Sequence, residues 1–244
     1  MNSEIEMHLW SIAGKYLKYL RFIPFLNMVS VCNSLSFGTV NKNSDIDLFI
    51  VTEKNRLFIT RTLLLILFHI LGVRRHGNKI KNRICLSFFV DESNSNLQKI
   101  ALKDDYYLVL WILKMYPVIN KNDYYNKFLT VNSWLNTYIN FRQDVFFNEK
   151  NRLNFEYNSV FKNFLQFIFS GFLGNKLEMI LQYWQLKRAK SKTKPGDSGV
   201  IVENGILKFH KIDRRIFFNE IIRKNMLSNE KISKEKLNLA LLKF

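Results

Sequence analysis

Asp45 and Asp47 stand two residues apart in the stretch NSLSFGTVNKNSDIDLFIV, residues 33–51. On a β-strand, residues i and i+2 project from one face, so this spacing brings two carboxylates together. Carboxylates held that close repel each other unless a cation lies between them. Hard divalent cations, Mg2+ with Mn2+ as the alternative, take oxygen ligands from few carboxylates and complete their shell with phosphate oxygens. A polar loop containing Ser34, Ser36 and Gly38 precedes the pair. It follows an apolar run directly and begins a short helix, where backbone N–H groups and hydroxyls can hold a triphosphate. A phosphate loop followed by a metal-binding strand is a layout for phosphoryl or nucleotidyl transfer. The competing reading is a solvated turn feeding an ordinary strand. That reading leaves Asp47 as an inward-facing charge between Ile46 and Leu48, which is costly without a partner.

The elements that must position these residues follow from periodicity and punctuation. Short apolar or β-branched runs at 28–32, 46–52 and 84–90 read as strands, and the apolar run 57–73 reads as a helix between the second and third. Helix-like spacing continues over 97–116 and 124–147, with Pro117 as the stop between them, and then over 155–171 and 176–190. A basic segment, 187–194, ends at Pro195-Gly196. Asn204-Gly205 between the apolar runs 200–202 and 206–209 predicts a hairpin, because both residues tolerate positive φ. Residues 213–244 read as a charged amphipathic helix. The expected fold class is α+β: a small mixed sheet with helices packed on it, then a helical region, then a β-hairpin and terminal helix. The expected divisions are 1–100, 101–190 and 191–244.

Composition narrows the classes. With 244 residues, 48% hydrophobic and 15% aromatic, the chain is too apolar for wholesale disorder. Two cysteines and four histidines offer neither a disulfide framework nor zinc-type spacing. Lysine plus arginine exceed the acids by 37 − 20 = +17. That excess favours nucleic acid, an anionic membrane or nucleotide phosphate as partner, but an AT-rich coding bias toward Lys, Asn, Ile and Phe produces the same number. The run 57–73 contains Arg61 and His69, and 161–173 is interrupted by Lys162, Asn163, Gln166 and Gly171, so neither reads as a membrane span. Interleaved aromatics and cations from Phe161 to Lys194 leave an interfacial helix open. The acidic start MNSEIEMHLW lacks a signal layout, which makes the cytoplasm the expected compartment.

Taken together, Ser34, Gly38, Ser44, Asp45, Ile46, Asp47 and Leu48 resemble the signature of the DNA polymerase β-type nucleotidyltransferase superfamily, with Asn33 where the family has its first glycine. The core of the resemblance covers residues 28–90. A wider likeness links the chain to a bacterial group of nucleotidyltransferase-domain proteins without an established substrate. It rests on Arg56-Leu57-Phe58, Arg74-Arg75-His76, Cys85-Leu86-Ser87-Phe88, Leu207–His210 and Asp213–Arg215. The resemblance implies a nucleotidyltransferase core in which Asp45 and Asp47 are catalytic and bind Mg2+, while Ser34, Ser36, Gly38 and Ser44 bind a nucleoside triphosphate, ATP first. It implies transfer of a nucleoside monophosphate to an acceptor hydroxyl on a small molecule, an RNA or a protein. The family's third carboxylate lies on a later strand. Here the corresponding position is Ser87, with Asp91 and Glu92 as the next acids along. A catalytically weak or inactive nucleotide binder, or an antitoxin-like partner protein, is the alternative.

Other candidates rest on less. The basic loop Arg74, Arg75, His76, Lys79, Lys81 and Arg83 reads equally as an anion contact, through Arg74, Arg75 and Lys79, or as a solvated turn. His69 is expected in the core and His8 on the surface. A site role for the His210–Arg215 segment requires the hairpin to fold back over the core. Cys32 and Cys85 are expected to be buried, unreactive thiols.

Overall fold

The computed structural model describes residues 2–138, 153, 155, 157–191, 199–210, 213 and 215–225. Six strands form one sheet: β1 (Leu26–Cys32), β2 (Ile46–Thr52), β3 (Ile84–Asp91), β4 (Tyr116–Asn120), β5 (Val200–Glu203) and β6 (Ile206–Phe209), in the order β4-β1-β2-β3-β6-β5. Only β2 and β3 run parallel, and the crossover between them is α3 (Leu57–Ile70). All other neighbours are antiparallel. The fold is therefore mixed α+β, with the expected hairpin present.

Strands β1, β2 and β3 are buried along their whole length. Both faces are covered, which is why these segments read as nearly continuous apolar runs. Ile46, Leu48 and Ile50 pack with α1 (Asn2–Leu17) and α3 in one core layer. Phe49 and Val51 pack on the other side with α4 (Tyr106–Lys114) and α5 (Tyr124–Val131). Phe49 is the hub there, with ring contacts to Phe88, Trp111 and Phe128 at 4.9, 5.1 and 5.6 Å.

Two expectations are corrected. Pro117 does stand between α4 and α5, but a strand rather than a bare helix stop occupies the gap. Pro117 lies inside β4, at the sheet edge, where a missing N–H is tolerated because no further strand needs it. The helical pattern over 97–116 resolves into a short 3-10 turn at Leu97–Ile100 and then α4, which Asp105 caps by accepting from Leu108 N. His69 is not in the core but exposed, with its ring 6.2 Å from that of His76.

The remaining helices are α2 (Asn33–Phe37), α6 (Val160–Ser170), α7 (Phe172–Lys190) and α8 (Arg215–Asn225). The second half of the expected helix 124–147, the end of the basic segment with Pro195-Gly196, and the terminal stretch 226–244 lie outside the described residues. Among the described residues no helix is long and apolar enough to cross a membrane.

The C-terminal part is fastened to the core by charge. Arg215 at the start of α8 forms ion pairs with Asp213 and with the fully buried Asp105, at 2.6 and 3.2 Å. Asn219 adds a bond from Nδ2 to Asp105 Oδ1. Guanidinium hydrogen bonds hold the Asp213 carboxyl far below the usual carboxylate range.

Candidate active site

The turn before β2 sets the geometry. Asn41 and Ser44 close it: Asn41 N donates to Ser44 Oγ and Ser44 N to Asn41 O, at 2.9 and 3.0 Å. Ser44, expected to touch nucleotide, is buried and serves this turn with its hydroxyl. The turn delivers Asp45 to the mouth of β2, and strand alternation then puts Asp45 and Asp47 on the α4/α5 side, opposite Ile46 and Leu48. The register places Cys32 of β1 and Cys85 of β3 on either side of Asp47. Ligand atoms of Asp45, Asp47 and Cys85 all lie within 4.8 Å of one another.

The two acids differ in their surroundings. Asp45 Oδ2 accepts from Arg75 Nη1 at 2.6 Å. Burial and the neighbouring Asp47 charge push its carboxyl up to about 6, against the pull of Arg75. Asp47 is 8% exposed, and among the described residues its carboxylate has no hydrogen-bond or ion-pair partner. Both cysteines are buried free thiols, as expected, and burial together with the two carboxylates pushes their pKa values up. Cys85 therefore stays protonated in the ligand-free protein, and the carboxylate pair is the part of this cluster that could hold a divalent cation.

Asn33 has φ 59°, in the left-handed region, which explains how it stands where the resembling family has glycine. Its side chain is held away from the loop, because Asn33 Oδ1 accepts from Trp111 Nε1 at 2.8 Å. Ser36 Oγ donates to Asn33 O within α2, Ser34 is half-buried, and Gly38 is exposed at φ 72° as the helix stop. The α2 loop thus lies directly after β1, beside the acid pair. Of the basic candidates, only Arg75 reaches the acids, where it is a counter-ion. Arg74 is half-buried with its Nε unpartnered, and Lys79 is exposed on the far turn closed by His76.

Neither Asp91 nor Glu92 completes the acid set. β3 runs parallel to β2 with Asp47 opposite Cys85 and Thr52 opposite Asp91, so Asp91 is six residues along the strand, roughly 20 Å away. Asp91 caps the following turn by accepting from Asn94 N, and Glu92 pairs with Lys127. Cys85 is the β3 residue in the cluster with the acids, and Ser87 follows it two positions along the strand. A bulge between the pairs Asp47/Cys85 and Phe49/Phe88 adds a residue at this point and re-aims its side chain.

A histidine reaches this side of the sheet from the hairpin. β6 pairs with β3, Phe88 opposite Lys208, and the chain then carries His210 onto the same side. His210 Nε2 lies 3.2 Å from Ser87 Oγ, and its ring stands edge-on to Phe88. Burial lowers its pKa, with Lys208 and Arg75 adding to that and Asp47 and Asp213 opposing, so the imidazole is neutral near pH 7. The fold-back condition set by the sequence is met. Two cavities, of about 240 Å3 around Glu4, His8 and Lys81 and about 230 Å3 around Arg56, Asp91 and Glu178, are lined by neither Asp45 nor Asp47.

No protein-family model, curated protein or solved structure matches the chain.

Proposed function

We propose that the chain is a divalent-metal-dependent nucleotidyltransferase, with Asp45 and Asp47 as its catalytic and metal-holding acids. The observation that carries this reading is Asp47: a nearly buried carboxylate with no hydrogen-bond or ion-pair partner among the described residues, one of its oxygens within 4.8 Å of a ligand atom on Asp45. An uncompensated buried charge is expensive, and a bound cation removes the expense. The donor set fits Mg2+ or Mn2+, since its two ionised members are oxygen ligands. Such a cation, when bound, supplies neutralisation of phosphate charge.

The chain's own groups supply the rest. The α2 loop, with Ser34 and the backbone at Gly38, lies where it can hold the phosphates of a nucleoside triphosphate, ATP first. Arg75 covers Asp45 in the ligand-free protein and becomes available to phosphate when the carboxylate is otherwise engaged. His210, neutral and next to Ser87, is placed to accept the proton of an attacking hydroxyl. The acceptor is a small molecule, an RNA or a protein.

Calorimetric titration with ATP and Mg2+, followed by a pyrophosphate-release assay, tests the reading. Binding with release supports transfer. A second reading, a nucleotide binder or partner-binding protein with little or no catalysis, is favoured by Ser87 standing where a third carboxylate would be. Binding without release selects the binder, and absence of binding selects the partner protein.

A further inference from the structure

Helix α7 is inverted. A surface helix ordinarily turns its apolar stripe inward and its polar face out. In α7 the buried positions are Gly174, Glu178 and Gln185, at helical spacing on one side. Glu178 accepts from Phe58 N and Ile59 N at 2.8 Å each, satisfying the open N-terminus of α3. Gln185 Nε2 donates to Phe58 O and Thr62 Oγ1 at 3.2 and 2.9 Å. Asn175 accepts from Arg56 on the same side. The polar groups of α7 are thus spent on α3.

Leu181 and Leu186 pack inward against the core beside these polar groups, while a second set of apolar side chains faces outward. On α7, Phe172 and Leu173 are both 70% exposed, Ile180 64%, Tyr183 70% and Trp184 53%, and α6 adds Phe167 at 81%. Buried aromatics carry roughly 150–250 Å2 each. Four such rings, half to four-fifths exposed, with Leu173 and Ile180 beside them, reach at least the few hundred Å2 usual for the largest apolar patch of a monomer.

The charges around this patch say what covers it. Within the described residues 157–191 the acid is Glu178, which is buried against α3. Lys176, Lys187 and Arg188 lie over the rings of Phe172, Tyr183 and Trp184, at 4.9, 5.8 and 5.4 Å. Apolar bodies flanked by cations whose stems lie along aromatic rings are the arrangement of a helix seated in a headgroup layer. A second copy of the chain would bring two cationic helix faces together, and within the described residues of α6 and α7 no exposed acid answers them. A specific peptide would need oriented polar groups on this face, and those are turned inward.

We propose that the outer face of α6 and α7 is a docking surface for an anionic lipid bilayer. The inference is independent of the transfer chemistry. The test is co-sedimentation of the full chain with vesicles of phosphatidylcholine alone or mixed with phosphatidylglycerol. At about fivefold per cation near the surface, the three cations make binding to the neutral vesicles roughly a hundredfold weaker. Binding to the anionic vesicles falls with added salt. The pair Phe167→Ser and Tyr183→Ser removes exposed apolar area and lowers anionic binding at least roughly tenfold. If that pair fails to fold by circular dichroism, the reversal Lys187→Glu with Arg188→Glu keeps the apolar face and lowers binding at least as far. Absence of binding, equal binding to both vesicles, or binding indifferent to a folded variant overturns the proposal. So does a dimer in light scattering that the same substitutions dissociate, since that makes the face a self-interface.

Discussion

Ser87 and His210, 123 residues apart in the chain, meet at 3.2 Å beside Asp47. The contact joins the bulge in β3 to the end of the hairpin, and it brings a histidine to the side of the sheet that carries the two acids.

If His210 accepts a proton, His210→Gln keeps a polar contact to Ser87 and loses the base. Turnover should fall by about 10²–10⁴-fold, with nucleotide affinity nearly unchanged. The acid limb of the pH–rate profile should vanish in the variant. Loss of affinity with an unaltered profile would make His210 structural.

Asp47→Asn should remove metal-dependent ATP binding, read by calorimetry with and without EDTA. The same change removes a nearly buried, unpartnered charge, so the melting temperature should stay level or rise. Function and stability pull in opposite directions at this residue, which an ordinary surface acid would not show.

Asp45 gives a pH signature. Its carboxyl is pushed up to about 6 in the folded protein, above the ordinary carboxylate value near 4. The folded state therefore holds a proton that the unfolded chain has released. That contribution is complete below about pH 4 and is lost as pH rises through about 6. Ligand-free protein should lose up to about 3 kcal/mol across this window, on the order of 10 °C in melting temperature, relative to Asp45→Asn. Differential scanning fluorimetry at pH 4, 5, 6 and 7 measures it. Parallel curves for the two proteins would remove the raised carboxyl from the account.

Ser87→Asp places an acid on β3 two positions beyond Cys85. It should tighten Mg2+ or Mn2+ binding by roughly tenfold or more, because each added carboxylate raises the charge of the ligand set. Without the metal it should destabilise, since a third carboxylate joins two. Unchanged metal affinity would mean the bulge does not aim this side chain at the acids.

Arg215→Ala should destabilise by about 3–5 kcal/mol, because it strands Asp105, 0% exposed, without its ion pair. On this scale melting falls by roughly 10 °C. Asp105 still caps α4, so the core should melt cooperatively at the lower temperature, whereas a loss under about 1 kcal/mol would show the pair to be solvated.

The sequence was most readable where pattern and chemistry coincide. The central strands, the crossover helix, the Asn204-Gly205 hairpin and the convergence of Asp45 with Asp47 all follow from local spacing. Pro117 marked the gap between two helices, but the strand that fills the gap was not legible, because a proline after a helix and a proline on a sheet edge look alike until the sheet order is known. Ser44 was assigned to nucleotide by the resemblance, and the structure adds that its hydroxyl closes the turn that aims Asp45. His210 could be named but not placed, because strand pairing across such a separation leaves no local mark. The inward polar side of α7 was not legible: the sequence showed only interleaved aromatics and cations, and which side faced α3 depended on the open N–H groups of Phe58 and Ile59.

The pairing of β6 with β3 has a consequence for the order of biosynthesis. The acids and the α2 loop emerge early from the ribosome, while His210 and the strand that carries it emerge late. A nascent chain halted before the hairpin lacks both the histidine and the cover over one edge of β3. Any chemistry that needs His210 is thereby withheld from incomplete products, and the last strand to be made acts as a check that translation has passed the hairpin.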